Sequence, residues 1–375
     1  MRVLILMGKY CPWSRSTAAA IQGLGHQVHA VDFSDDYGEG YINSSVPGIR
    51  KDAEALEKMV SGVHLVDPPL KNKTRYVLGA FRLHQLAKRL EVDAVLSLEG
   101  TGFALLAFLS GFRPYFMYAV GSEILFAGRV KRCINRILMT SATKVFANGD
   151  FLAVRAREQA PKARIEKLLL GVDPSRFHMA DLSKKPIQII CTRGFQDVYN
   201  NEMIIRSLAL LPDNIPEFQF IFTSAGPLLE GMVGLADRIV PTRIREKIVF
   251  WKGVSYESIL EGLCQSHIFV SMSKSDGTST ALLEALASGL YPILSDIPQN
   301  REWVNPIRGN GILIALNSVE SLTIALDKCV RQIGNLRKYS HYNIAFVNER
   351  ANAKINREYL VQVIEKSISE NRGRQ

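Results

Sequence analysis

Short apolar segments alternate with helix-length amphipathic segments along most of the chain. In the first third, the apolar segments include MRVLIL, HQVHAVDF, VDAVLSL, PYFMYAVG and TKVFAN. A short, continuously apolar run bounded by turn residues is typical of a strand that is buried on both faces. Helical segments between such strands supply the crossovers that parallel pairing needs. The pattern therefore predicts a parallel, doubly wound α/β sheet.

The alternation pauses once and then begins again. The pause contains Gly171 and Pro174 and ends with the polar stretch SKKP at Pro186. After it come PIQIICT, FQFIFTSAG, KIVFWKG, HIFVSMS and YPILSD. A chain of 375 residues is long enough to form two domains of ordinary size. We predict a first domain over residues 1–170, a linker over 171–185, a second domain over 186–345, and a C-terminal helix within 346–375 that packs back on the first domain.

Two doubly wound domains in tandem suggest where a ligand binds. In such sheets ligands lie beyond the carboxyl ends of the strands, at the point where the strand order reverses. We therefore expect a ligand in a cleft between the two domains.

Charge and cysteine usage narrow the class of partner. The formal charge of +10 favours anionic partners, yet the basic residues are scattered and form no zinc finger or compact Lys/Arg tract, which argues against nucleic acid. The five cysteines have no close pair and the seven histidines no His-x-x-x-His spacing. We therefore expect no disulfide framework, no metal site and no cofactor.

The apolar distribution predicts a cytoplasmic location. The opening run MRVLIL is too short for a signal peptide and leads into a polar loop. No window reaches about 18 uninterrupted apolar residues, as a spanning helix requires.

One segment combines a predicted strand, a small polar loop and a helix start. It reads HIFVSMSKSDGTSTALLEALASGLYPILSD, with the helix beginning near Ser279 or Thr280 and ending at Gly289. A helix N-terminus offers unpaired amides and partial positive charge, which together hold a phosphate. Gly277 permits close approach of the backbone, and Glu284 lies one turn into the helix. From these residues alone, simple helix capping by the polar side chains stays an open alternative.

The same segment resembles retaining glycosyltransferase family 4. The Asp276-to-Glu284 spacing is similar to the E-x7-E signature of that family, with Asp in the first position. The run LLEALASGLYPILSD resembles its "LEAMA-G-PVI-S" run. LLLGVDPSRF, CTRGF and VFWKGV resemble further family motifs, and the match in the N-terminal half is looser.

The resemblance implies a GT-B fold, in which two doubly wound Rossmann-like domains face each other across a cleft. It also implies a retaining, metal-independent glycosyltransferase that moves a sugar from a UDP- or GDP-linked donor to a saccharide or lipid-linked acceptor, in bacterial surface polysaccharide synthesis. By matching position, Arg193 would pair with the diphosphate, Asp276 would lie by the sugar hydroxyls, and Glu284 would bind the ribose. The remaining donor-side candidates are Gly277, Thr278, Ser279, Thr280, Gly226 and Lys252; the acceptor-side candidates are Gly8, Gly121 and Ser122.

Three positions depart from the family pattern. The family often carries a lysine a few residues after its strand-end arginine, where this chain reads QDVYNNE, and Lys252 is one candidate for its replacement. Asp276 is one methylene shorter than Glu. Val120 stands where many relatives carry histidine.

A basic segment predicts peripheral contact with an anionic membrane at the inner face. Arg129, Lys131, Arg132 and Arg136 precede the apolar Ile137–Met139, as in an amphipathic helix that lies on lipid. A solvated face of the first domain is the open alternative.

Three other function classes are alternatives to glycosyl transfer. A nucleotide-dependent oxidoreductase requires G-x-G-x-x-G after the first strand, where this chain has MGKYCPWS. A non-catalytic nucleotide- or sugar-binding protein of the same fold, and phosphorylase or isomerase chemistry on that fold, stay open.

Overall fold

The computed structural model describes residues 1–7, 12–33, 54, 57–66, 73–98, 101–181 and 186–372. The chain divides into two compact units, Met1–Leu170 together with Ala353–Gln375, and Gly171–Asn352. Residues 171–185, for which the sequence predicts a linker, are grouped with the second unit, and the last helix is grouped with the first. Gly8 lies outside the described residues.

The first unit is built on a seven-stranded parallel sheet with the order β3-β2-β1-β4-β5-β6-β7. Its strands are β1 (Arg2–Leu6), β2 (Gln27–Asp32), β3 (Gly62–Leu65), β4 (Ala94–Leu98), β5 (Tyr115–Ala119), β6 (Lys144–Ala147) and β7 (Ile165–Lys167). Its helices include α1 (Pro12–Gly23), α2 (Arg75–Arg89), α3 (Thr101–Leu109), α4 (Ser122–Leu125), α5 (Arg129–Ser141), α6 (Asp150–Gln159) and the final α15 (Ala353–Arg372).

The second unit is built on a six-stranded parallel sheet with the order β10-β9-β8-β11-β12-β13. Its strands are β8 (Ile187–Cys191), β9 (Phe218–Phe222), β10 (Ile248–Phe250), β11 (Ile268–Ser271), β12 (Tyr291–Ser295) and β13 (Ile312–Ile314). Its helices include α7 (Asn201–Ala209), α8 (Leu229–Ile239), α9 (Thr242–Arg245), α10 (Tyr256–Gln265), α11 (Thr280–Ala287), α12 (Pro298–Arg301), α13 (Val319–Arg331) and α14 (Ile333–Arg350).

Each sheet is buried on both faces by its own helices. In the first unit, α2, α3, α5 and α6 contribute to one apolar cluster. α1 and α15 contribute to the cluster on the opposite face, where Ile21, Leu360 and Ile364 are buried. Two-sided coverage explains why the strands read as continuous apolar runs rather than as an alternating pattern. The predicted fold class of two doubly wound α/β domains is confirmed.

The strand order of the second sheet reverses between β8 and β11. β8 connects outward to β9 and β10, whereas β11 connects to β12 on the other side. The loops that leave β8 and β11 therefore diverge and open a crevice at the carboxyl edge of the sheet. Arg193 follows β8 and the Asp276–Ser279 loop follows β11, so the topology brings these two predicted segments together.

None of the helices in the described part of the chain combines the length and the apolar character that crossing a bilayer demands.

Candidate functional site

Arg193 links the two loops at the carboxyl edge of the second sheet. Its guanidinium donates one hydrogen bond of 2.6 Å to Oδ2 of Asp276 and another of 2.8 Å to Oγ of Ser279. The ring centroid of Tyr199 lies 4.1 Å from the guanidinium carbon, a cation–π distance. The Arg193 side chain is only 9% exposed. A fixed positive charge therefore stands at the mouth of the crevice.

The N-terminus of α11 adjoins that guanidinium. Ser279 is the N-cap residue, and its Oγ accepts a hydrogen bond from the amide of Leu282 at 3.3 Å. The amide of Gly277 donates to Oδ1 of Asp276 at 2.9 Å. Thr278 and Ser279 are buried, and Thr280 is the half-buried first residue of the helix. The predicted helix start is therefore confirmed.

Opposing effects act on the pKa of the Asp276 carboxyl. Burial raises the pKa of its carboxyl, while the adjacent Arg193 guanidinium and the Gly277 amide oppose that rise. Because Asp276 Oδ2 lies 2.6 Å from the Arg193 guanidinium, the two charges form an ion pair.

Glu284 lies one turn into α11 and is buried, with 9% exposure. Its Oε1 accepts a hydrogen bond of 2.6 Å from the hydroxyl of Tyr256, the first residue of α10. Burial raises the pKa of Glu284 to about 7, although the Tyr256 hydroxyl and the positive charge of Arg176 lower it in part. Arg176 also lies over the Tyr256 ring, 5.1 Å from its centroid. Glu284 is therefore not a solvated surface side chain.

Gly226 packs against the loop that carries Arg193. A Cβ at this position would lie 2.7 Å from the backbone nitrogen and oxygen of Phe195, closer than real Cβ atoms come. The amide of Phe195 donates to Ala225 at 3.0 Å, which fastens the loops after β8 and β9 to each other. Glycine at 226 therefore sets how closely these two loops approach.

Two lysines differ in their relation to the site. Nζ of Lys252 lies 3.5 Å from a carboxylate oxygen of Glu230, and its side chain is more than half exposed. Nζ of Lys274 donates to both carboxylate oxygens of Asp197, at 2.7 and 2.8 Å. The amide of Lys274 also donates to the carbonyl of Val198, inside the stretch that lacks the family lysine. The structure thus ties Lys274, rather than Lys252, to the Arg193 loop.

The described acceptor-side candidates lie in the first unit, after β5. Gly121 is the N-cap of the short helix α4, and Ser122 is its exposed first residue. The amides of Val120 and Gly121 both donate to the carboxylate of Glu123, at 2.5 and 2.9 Å. Glu123 is buried, which raises its pKa. These two amides are therefore used within the protein.

Several site residues have no sequence signal that would have singled them out. Tyr199, at the end of a short 3-10 helix, and Tyr256, the first residue of α10, are distant in sequence from Asp276 and Glu284, and Lys274 is one lysine among many. Only the adjacency of β8 with β11, and the start of α10 against α11, places them there. Among the residues that the structure describes, no group of three or more His, Cys, Asp and Glu side chains could hold a metal ion.

Residues 176–345 match the family of glycosyl transferases group 1. This segment contains Arg193, Asp276 and Glu284 and all but the acceptor-side candidates. The match agrees with the glycosyl-transfer chemistry predicted for this segment.

One curated relative is the GDP-mannose:cellobiosyl-diphosphopolyprenol alpha-mannosyltransferase of Xanthomonas oryzae pv. oryzae (strain PXO99A). It is 27% identical over 189 residues, which cover 50% of this chain. The aligned part spans 46% of that relative, so the chain matches about half of its length.

Solved structures match over nearly the whole chain. Anabaena HepE, in complex with UDP and glucose, has a TM-score of 0.76 at 13% identity, over 98% of this chain and 100% of that one. Sucrose-phosphate synthase from Thermosynechococcus elongatus has a TM-score of 0.77 at 11% identity, over 99% and 100%. A glycosyltransferase from Rickettsia africae has a TM-score of 0.76 at 14% identity, over 98% of each chain. These likenesses confirm the predicted GT-B fold.

Proposed function

We propose that this protein is a retaining, metal-independent glycosyltransferase. It would move a sugar from a UDP- or GDP-linked donor to a saccharide or lipid-linked acceptor in bacterial surface polysaccharide synthesis. The group 1 match supports the reaction type. The Xanthomonas relative is a cellobiosyl-diphosphopolyprenol mannosyltransferase, which supports a diphosphopolyprenol-linked acceptor, and the Anabaena complex with UDP supports a nucleotide-sugar donor.

The observation that carries the proposal is the convergence of Arg193 and the α11 N-terminus on one point. During glycosyl transfer, negative charge builds on the departing nucleoside diphosphate. A preorganised guanidinium and a helix N-terminus aimed at that charge lower the barrier by several kcal/mol. Arginine suits this position because its planar fork grips phosphate oxygens in pairs and stays charged. These groups supply positive charge from the protein itself, which is the basis for proposing metal independence.

When a donor binds, its diphosphate would replace Asp276 as the ion-pair partner of Arg193. Asp276 neutralises the Arg193 guanidinium at 2.6 Å. A diphosphate entering the crevice competes for the same N–H donors with a larger charge. Once displaced, the Asp276 carboxylate would be available to accept hydrogen bonds from the hydroxyls of the donor sugar. Asp276 would then pair with Arg193 before the donor binds and accept hydrogen bonds from the sugar afterwards.

Glu284 is placed to bind the ribose. Its Oε1 accepts a hydrogen bond of 2.6 Å from the Tyr256 hydroxyl, which orients the carboxylate. Ribose hydroxyls are donors that favour an ionised carboxylate, so nucleotide binding would lower the raised pKa of Glu284. Retention of anomeric configuration follows from the resemblance to family 4.

A panel of nucleotide sugars tests the donor side. A ligand present at about a hundred times its dissociation constant adds about 2.7 kcal/mol of stability, which a thermal shift measures readily. We expect a UDP- or GDP-linked sugar to raise the melting temperature of the wild-type chain. The absence of any shift across the panel would overturn the proposal. Turnover in excess chelator, with the product anomer assigned by NMR, then tests metal independence and retention.

The open alternative is a non-catalytic binding protein of the same fold. The shorter Asp276 and the missing family lysine favour it. Incubating the protein with its preferred nucleotide sugar and no acceptor separates the two functions. Slow release of free sugar supports an enzyme, whereas tight binding without any hydrolysis or transfer supports a sensor.

Peripheral contact with an anionic membrane at the inner face of the cell membrane also belongs to this proposal. A polyprenol-linked acceptor resides in a bilayer, so the protein would have to work at its surface.

A further inference from the structure

The aromatic ring of Tyr199 covers one face of the Arg193 guanidinium. The ring centroid lies 4.1 Å from the guanidinium carbon, while the N–H groups of Arg193 donate to Asp276 at 2.6 Å and to Ser279 at 2.8 Å. A guanidinium donates its hydrogen bonds within its own plane and stacks through its faces, so the ring and the oxygen acceptors do not compete. The Tyr199 contact can therefore persist while the acceptors change.

Tyr199 has little part in the apolar core of the second unit. Its side chain is half-buried, and it is not among the described residues that form or flank that core. Phe195, in the same loop, is by contrast 1% exposed, and its ring centroid lies 5.5 Å from that of Phe222 and 6.1 Å from that of Phe250. The loop after β8 thus carries one aromatic side chain that packs in the core and one that packs on Arg193.

Backbone contacts fix the position of the Tyr199 ring. Tyr199 ends the 3-10 helix Asp197–Tyr199, and the next residue, Asn200, has a left-handed backbone with a φ of 52°. Asparagine adopts this conformation more readily than most residues, so the chain can turn there into α7. The amide of Lys274 donates to the carbonyl of Val198 at 2.8 Å. The loop after β11 therefore braces the turn that carries Tyr199.

Donor binding would change the acceptors of Arg193 but not its ring contact. In the proposed function the diphosphate replaces Asp276, so the ion pair no longer orients the guanidinium during the reaction. We infer that Tyr199 is a positioning residue for glycosyl transfer, which acts through Arg193 by keeping its N–H groups directed at the departing diphosphate. This inference rests on the proposed function for the reaction, and on the ring contact for the placement of Arg193.

Replacement of the ring tests the inference by steady-state kinetics. Tyr199→Leu should lower kcat about tenfold, because a catalytic group that loses its orientation loses rate, while KM for the donor should change less. Tyr199→Phe keeps the ring face and should stay within about twofold of the wild type. The control is Tyr342→Leu, since Tyr342 is a half-buried tyrosine on α14 whose ring stacks on Phe346. An equal fall in kcat for the Phe and Leu variants, or no fall in the Leu variant, would overturn the inference.

A double variant shows whether Tyr199 acts through Arg193. Two residues that serve the same interaction have effects that do not simply add in free energy. R193A/Y199L should therefore have the kcat of R193A, about a hundredfold below that of the wild type. Multiplied losses, about a thousandfold in all, would mean that Tyr199 acts independently of Arg193 and would contradict the positioning role.

Arginine side-chain NMR gives a readout that needs no turnover. In the wild type and in Y199F, the ring current should displace the Nε–H and Nη–H signals of Arg193, which the spectrum of R193A assigns. In Y199L these signals should move towards those of free arginine and average by rotation. Unchanged Arg193 signals in Y199L would refute the positioning role. If the wild type turns over no nucleotide sugar, the transferase proposal fails instead, and the spectra still decide whether Tyr199 orients Arg193.

Discussion

The hydroxyl of Tyr256 donates a hydrogen bond of 2.6 Å to Oε1 of Glu284. One of the two oxygens proposed to meet the ribose is therefore already oriented before any ligand arrives. The bond also stabilises the ionised form of a buried carboxylate whose pKa is raised to about 7. Tyr256 is thus a positioning residue that acts through Glu284 on both the geometry and the charge of the donor site.

Donor affinity should rise with pH and level off above about 7, because ribose hydroxyls donate to the ionised form of Glu284. Tyr256→Phe removes one hydrogen bond to that form and raises the Glu284 pKa, so the midpoint of the curve should move up by about one pH unit. Calorimetric titration with a nucleotide sugar measures this, since its diester phosphates do not titrate in the range. A pH-independent affinity in the wild type would contradict this role of Glu284.

Glu284→Gln should stabilise the ligand-free protein while weakening donor binding. The folded-state pKa of Glu284 lies above its unfolded value, so the folded state is favoured at low pH and loses stability as pH rises to about 7. At about pH 8 the amide should therefore raise the free energy of unfolding by about 3 kcal/mol, and at about pH 4 by little. Urea denaturation at the two pH values measures the difference. Equal effects at both would show that the carboxyl is not held at a raised pKa.

Arg193→Ala should lower kcat by about a hundredfold, as expected when one preorganised group that stabilises the leaving charge is lost. KM for the donor should change less, because the α11 amides persist. Arg206→Ala is the control, since Arg206 is half exposed on α7 and pairs with Glu202. Steady-state kinetics with both variants decide the matter. A comparable fall in kcat for Arg206→Ala would contradict a specific role of Arg193 in stabilising the leaving-group charge.

Lys274 is the better candidate to replace the missing phosphate lysine. Lys274→Met should weaken donor binding or turnover about tenfold, because its ammonium is held by Asp197 on the Arg193 loop. Lys252→Met should have little effect, since that side chain pairs with Glu230 on α8 rather than with a residue of the Arg193 loop. Parallel kinetics at low and raised salt compare the two. The reverse ranking would restore the sequence-based choice of Lys252.

Gly226→Ala should disturb the donor site more than the fold. Its added methyl meets the Phe195 backbone at 2.7 Å, so the loop carrying Arg193 has to shift. We expect kcat/KM to fall at least tenfold, in line with the cost of misplacing a catalytic group. Gly231→Ala on α8 is the matched control, because nothing lies within 4 Å of its Cβ and alanine favours helix by about 1 kcal/mol. Full activity of Gly226→Ala would show that the two loops tolerate separation.

The sequence by itself determined the architecture and the location of the donor segment. Apolar runs such as HIFVSMS and YPILSD are continuous because helices cover both faces of the sheet. Such continuous runs can be recognised from the sequence alone. The helix start at Ser279 can also be predicted from the sequence, since capping depends on a few adjacent residues. These features are local, so the chain order alone expresses them.

Only the tertiary structure decided which side chains meet. The Arg193–Asp276 pair spans 83 positions, and the Tyr256–Glu284 bond crosses from α10 to α11. No sequence pattern predicts either contact. The residues that meet at a strand end depend on the order of the parallel strands in the sheet, not on their separation in sequence. Burial likewise fixed the protonation of Glu284, since a carboxyl's pKa depends on surroundings that composition does not contain.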